Sequence, residues 1–208
     1  NAGLFCEREL VAAFRAASLS APPGLFDSLD AAYGERDRHY HDRSHVAECL
    51  RQFRRVADLA ECPADVELAI WFHDAVYDAR EKDNEERSAQ WAAQALRHAG
   101  AAAEPIDRVV ELILATKTHE PASADAALMV DVDLGILGTS PETFERYDQA
   151  IALEYAWIEA EAYRVGRAAV LRSFLERTRI YRTDTFHDAL DARARANLAA
   201  KVAELEAG

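Results

Sequence analysis

The sequence has no apolar run of the roughly 18–20 residues that a bilayer-spanning helix needs. No segment carries the basic, apolar and small-residue order of a secretory signal. The chain opens Asn1-Ala2-Gly3 without an initiator Met, which reads as a processed start or a tag remnant, so the first few residues are expected to be tag-derived or disordered. Cysteine is scarce. Cys6, Cys49 and Cys62 are three in number and show no C-x-x-C spacing, which argues against a disulfide framework and a zinc knuckle. They read as reduced thiols in or near a core, in a cytoplasmic protein. Alternating runs of about four to eight β-branched residues are also missing, and with them the usual mark of strands. Positive charge is short: 24 Lys and Arg stand against 37 Asp and Glu, a formal net charge of −13. So acidic a surface disfavours binding along a phosphate backbone, and no nucleic acid polymer is expected as a partner.

What is present points to helices. Half of the 208 residues are hydrophobic and 29% are charged, which is ordinary globular composition. Ala, Leu, Glu and Arg dominate, with apolar spacing near 3.6. Leu4, Leu10, Val11 and Phe14 form one stripe that stops before Pro22-Pro23-Gly24. A short helix is expected from Leu25 to Tyr33, and Val46, Leu50, Phe53, Val56 and Ala57 make the stripe of a third. Pro63 and Pro105 sit where a helix begins, since a first-turn residue needs no N–H. Gly100 ends the helix before Pro105, and Ser140 caps one that starts at Pro141. Thr185 and Asp188 have capping-box spacing for a last helix to about Glu206. No repeat, low-complexity tract or Gly/Ser linker divides the chain. The expectation is one all-α domain over 1–208, a compact bundle of roughly nine to eleven helices. Trp71, Trp91 and Trp157 read as core, and His39, His98 and His187 as surface.

Three places set polar residues into apolar surroundings. Ala69 through Tyr77 reads as one apolar helical run that carries His73 and Asp74 side by side. Val130 through Leu137 carries Asp131 and Asp133. His45 begins the third helix, after Tyr40-His41-Asp42-Arg43-Ser44. A buried carboxylate needs a cation or several donors. Imidazole and carboxylate together suit one divalent metal ion, and Mn, Fe, Co, Ni, Zn and Mg all stay open.

This pattern resembles the HD-domain metal-dependent phosphohydrolases, whose motif is H…HD…D on a helical bundle. The match runs His45, His73-Asp74, Asp133. The longer strings resemble a bacterial subgroup of HD-superfamily phosphohydrolases. They are Arg38-His39-Tyr40-His41 through His45, Ala69 through Asp78, Asn84-Glu85-Glu86-Arg87-Ser88-Ala89, Ala115-Thr116-Lys117-Thr118-His119 and Asp131 through Gly138. Glu154-Tyr155, Gly166-Arg167 and Arg195-Ala196-Asn197-Leu198 extend the likeness, which covers about Phe5 to Leu205.

The resemblance implies that His45, His73, Asp74 and Asp133 bind one metal, with Asp74 and Glu85 as catalytic candidates. Asp131 is expected to orient a ligand from behind, and Arg38, Lys117 and His119 to meet the substrate. In some HD families further histidines hold a second metal, one of them usually in a His-Glu string where this chain has Asn84-Glu85. His98 and His119 remain alternatives, but the loss at Asn84 favours one metal. The implied activity is hydrolysis of a small phosphorylated molecule, foremost a nucleotide, by metal-activated water. Two other readings stand beside it: an HD-type oxygenase, against which Asn84 counts, and a non-catalytic protein that binds a nucleotide or metabolite through the metal. No membrane partner is expected, and the oligomeric state is open, a homo-oligomer included.

Overall fold

The structure is a computed structural model that describes residues 3–207. The expectation for Asn1 and Ala2 lies outside the described residues. Ten α-helices and no strand occur among those residues: α1 Glu7–Ala16, α2 Leu25–Tyr33, α3 Arg43–Phe53, α4 Pro63–Phe72, α5 Asn84–His98, α6 Ala103–Thr118, α7 Ala124–Asp133, α8 Pro141–Glu154, α9 Ala160–Leu175 and α10 Asp184–Ala207. The all-α expectation holds. None of these helices is long and apolar enough to cross a membrane.

Local capping explains most of the starts. Asp42 accepts from the N–H groups of Ser44 and His45 at 2.7 and 3.2 Å, which opens α3 and fixes His45 in its first turn. Pro63 is the first residue of α4, and Ser140 caps α8 by accepting from Thr143 N–H. Gly100 closes α5 at φ +82°, a left-handed position that suits glycine. Four expectations need correction. Helix α3 stops at Phe53, so Val56 and Ala57 fall beyond it, and Ala57–Leu59 is a separate 3-10 turn. Helix α4 ends at Phe72 and does not run through Tyr77. The last helix starts at Asp184, where the Thr183 hydroxyl, not that of Thr185, accepts from Phe186 N–H at 3.4 Å. Trp157 is 48% exposed and so is not core.

The chain divides into two compact units that meet in sequence at the last residue of α7, residues 3–132 and 133–207. The first is organised on α4. Val66, Leu68, Ala69, Ile70, Trp71 and Phe72 are all buried, so this helix is apolar all round and packs against α1, α3, α5 and α6. Its N-terminus is capped by the Asp125 carboxylate, which accepts from Glu61 and Cys62 N–H at 2.7 and 2.8 Å.

The second unit is built on α10. The 3-10 segment Leu134–Gly138 packs against this helix, and Asn197 donates to the Leu137 and Thr139 carbonyls at 2.9 and 3.0 Å. Arg195 donates to the carbonyls of Leu175, Arg177 and Thr178, which satisfies the end of α9. Arg167 pairs with Asp148 at 2.9 Å, both buried.

The two glycines behave oppositely. A Cβ on Gly138 would lie 2.6 Å from the Leu190 Cβ, whereas one on Gly166, inside α9, would meet nothing within 4 Å. Gly138→Ala should therefore destabilise by about 1–3 kcal/mol. Gly166→Ala should stabilise by up to about 1 kcal/mol. Urea unfolding of both variants checks this; equal midpoints would contradict it.

Candidate metal centre

The centre starts from the way α4 ends. The last four carbonyls of a helix have no partner in their own ladder and must be satisfied otherwise. Here they belong to Ala69, Ile70, Trp71 and Phe72. Ala69 O accepts from His73 N–H at 2.9 Å and Phe72 O from Ala75 N–H at 2.9 Å. Trp71 O accepts from the Tyr33 hydroxyl at 3.1 Å. Ile70 O pairs with His73 Nδ1 at 2.9 Å. A carbonyl only accepts, so Nδ1 carries the proton and the neutral ring keeps its lone pair on Nε2. His73 thus caps its own helix with one nitrogen and presents the other.

That second nitrogen meets other electron-rich atoms. His73 Nε2 lies 3.1 Å from His45 Nε2 and 3.1 Å from Asp74 Oδ2, and His45 Nε2 is 3.4 Å from the same oxygen. Both imidazoles are buried. A metal about 2.0–2.1 Å from each of two ligands holds them about 2.9–3.4 Å apart at angles near 90–110°. The three atoms have that spacing. His45, Cys49, His73 and Asp133 also form a group whose ligand atoms all lie within 4.8 Å of one another and which could hold a metal ion. Asp133 is the final residue of α7, and the helix carries it to this position. Asp131 is fully buried two residues earlier and is not in the group; two helical steps turn its side chain about 200° from that of Asp133.

Cys49 was not picked out as a ligand from the sequence. It lies one turn after His45 on α3, an i, i+4 spacing that puts both on one face and could have revealed it. Its sulfur is 3.8 Å from both ring nitrogens of His45. Equal distances place it beside the ring, off the Nε2 lone-pair axis. The thiol therefore borders the cluster, while the Asp74 carboxylate faces both imidazoles. Burial raises the Asp74 carboxyl, but when the imidazoles are protonated the charges of His73 and His41 and hydrogen bonds from His45 and His73 outweigh it and hold the group well below the usual carboxylate range.

The connection after His73 has no regular structure, so side chains satisfy its backbone. Arg38 donates to Asp74 O at 2.5 Å, Ala75 O at 3.0 Å, His41 O at 3.3 Å and the Glu35 carboxylate at 2.9 Å. Its side chain is 2% exposed and lies over the Tyr33 and Tyr77 rings. Ser88 accepts from Val76 N–H at 3.0 Å and donates to Val76 O at 3.2 Å. Asn84 does the same for Asp78, at 3.0 and 2.9 Å. Lys117 donates to Lys82 O at 2.7 Å and pairs with the Glu86 carboxylate, which raises the lysine pKa. Arg38 and Lys117, nominated as substrate contacts, thus hold this connection.

Glu85 is half-buried in the first turn of α5. Burial first, then the charge of Asp74, raises its pKa above the ordinary glutamate value. His119 ends α6 in the left-handed region at φ +54°, uncommon for a residue with a side chain. His98 is exposed and bonds Gln94 O, away from the cluster. Comparison with protein-family models, curated proteins and solved structures finds no match to this chain.

Metal content separates the two α7 carboxylates. Asp133→Ala should lose the ion. Asp131→Ala should keep it with affinity weakened about 10–100-fold, the range of lost supporting contacts. Elemental analysis of dialysed, folded protein checks this; a full complement in Asp133→Ala and none in Asp131→Ala would reverse the assignment. Arg38→Ala should cost about 2–4 kcal/mol in urea unfolding, because it leaves buried carbonyls unpaired; a loss below about 0.5 kcal/mol would contradict its placement.

Proposed function

We propose that the chain is a metal-dependent phosphohydrolase of the HD type, acting on a small phosphorylated molecule, with nucleotides the first class to test. The observation that carries this reading is the convergence of His45 Nε2, His73 Nε2 and Asp74 Oδ2 within 3.1–3.4 Å. The order of these residues in the chain, completed by Asp133, is the order of the H…HD…D motif it resembles. His45, His73, Asp74 and Asp133 would hold one divalent ion. Such an ion lowers the pKa of water and stabilises charge on a transferring phosphoryl group.

The chain's own residues have separable parts. His73 and His45 would hold the ion through neutral nitrogens, and the bond from Nδ1 to Ile70 O keeps His73 in the tautomer this needs. Asp74 remains ionised and supplies negative charge to the centre. Glu85 takes the proton of the attacking water, and its raised pKa brings it nearer the working pH of a general base. The acidic surface, at −13, gives no general attraction for phosphate, so a bound cation would be the local counter-charge.

Chelation should abolish phosphate release from a panel of nucleotides and sugar phosphates, and Mn²⁺ or a similar ion should restore it. Undiminished turnover in verified metal-free protein would refute the mechanism. Glu85→Gln should lower kcat about 10²–10⁴-fold, the usual contribution of a proton-transfer group. Its stability should move the other way. A raised folded-state pKa means that the native form holds the proton more tightly than the unfolded one. Ionised Glu85 therefore destabilises the fold above that pKa, and the penalty fades as pH falls towards the unfolded value of about 4.3. Glu85→Gln should then be at least as stable as the parent at neutral pH. A variant with full activity would remove Glu85 from the mechanism.

A further inference from the structure

Asn84 stands where some HD families carry a histidine for a second metal, so it looks like a vacancy. Its contacts give it a different part. The side-chain amide is bonded on both sides, accepting from Asp78 N–H and donating to Asp78 O. One turn further along α5, Ser88 binds Val76 N–H and O in the same paired way. Residues i and i+4 share a helix face, and here that face meets alternate residues of the irregular connection, Val76 and Asp78. Each of these residues turns its N–H and its C=O to the same side chain. The arrangement mimics a strand pairing in which side chains replace the neighbouring backbone. Upstream, Arg38 holds Asp74 O and Ala75 O. Four residues of the five from Asp74 to Asp78 are therefore bonded through their backbone to a side chain from outside the segment.

Resting on the metal-centre reading above, we propose that Asn84 and Ser88 are positioning residues that set the affinity of the centre by fixing the path of Asp74–Asp78. Asp74 leaves the end of α4 on a connection with no ladder of its own. Arg38 holds its start, and Ser88 and Asn84 hold the backbone beyond it to α5. The same two side chains flank Glu85 on α5, so they also fix that carboxyl relative to Asp74. Without them the backbone from Val76 to Asp78 is released, the approach of the Asp74 carboxylate to His45 and His73 is less fixed, and the ion must meet part of the cost of ordering it. The amide of Asn84, engaged on both sides, is not available to an ion. A second metal is therefore not merely missing at this position; its place is taken by a backbone clamp.

The test uses the full chain and Co²⁺, read by isothermal titration and by the visible absorption of the bound ion. The parent should bind one Co²⁺. Asn84→Ala and Ser88→Ala should weaken it about 10–100-fold and alter the visible bands. Asn84→Asp keeps the acceptor for Asp78 N–H and should fall between parent and Asn84→Ala. Asn84→His should also weaken binding and leave the stoichiometry at one. Arg195→Met, which frees three carbonyls in the second unit, serves as the control: its melting temperature should fall while its affinity stays at the parent value. Asn84 is half-buried, so its variants remain usable if Ser88→Ala does not fold. Parental affinity and spectrum in folded Asn84→Ala would overturn the proposal alone. So would two Co²⁺ ions in Asn84→His, or an equal loss of affinity in Arg195→Met. Absence of binding to the parent would overturn the metal reading and this proposal together.

Discussion

Everything at the centre depends on how a helix buried on every side is brought to a stop. Helix α4 is the core of the first unit, and its C-terminal carbonyls are out of reach of water. Leaving such a group unpaired costs about 1–3 kcal/mol. Four carbonyls and the irregular connection beyond them would together exceed the margin by which a domain of this size is stable. The chain meets this constraint with Tyr33, His73, Arg38, Ser88 and Asn84, each aimed at main-chain groups between Ile70 and Asp78. The same bonds that end the helix also orient His73. Termination of the helix and construction of the centre are one structural event.

The cluster that results calls for positive charge among its members. Two imidazole nitrogens and a carboxylate oxygen lie within 3.1–3.4 Å of one another, with both imidazoles buried. Their mutual repulsion is relieved by a proton or by a cation among them. A divalent ion satisfies all three lone pairs at once, which a single proton does not. The elements around the cluster are themselves held firmly. Here α4 is capped at both ends, by Asp125 at the start and by Tyr33 and His73 at the finish.

Much of this was legible in the sequence, and what was not has one physical origin. Helix starts could be read because capping is local: Pro63 and Ser140 act on residues within one turn of themselves. The end of α4 could not be placed, because the apolar run continues to Tyr77 and the stop is made by side chains distant in the chain. For the same reason Arg38 and Lys117 resembled phosphate contacts. A guanidinium or ammonium group looks alike in sequence whether its acceptor is a phosphate or a backbone carbonyl, and Asp74 O, Ala75 O and Lys82 O leave no trace there. His45, His73 and Asp133 stood out because polar residues in apolar runs demand a reason. Cys49 did not, since a buried thiol needs none, and only its spacing from His45 marked it.

The protonation of His73 tests the central claim most directly. Nitrogen-15 NMR of metal-free protein with labelled histidine distinguishes the two ring nitrogens. The neutral ring should carry its proton on Nδ1, held by Ile70 O, with Nε2 bare, and added Zn²⁺ should shift Nε2 while Nδ1 stays protonated. A neutral His73 protonated on Nε2, or a Zn²⁺ shift at Nδ1, would contradict the account.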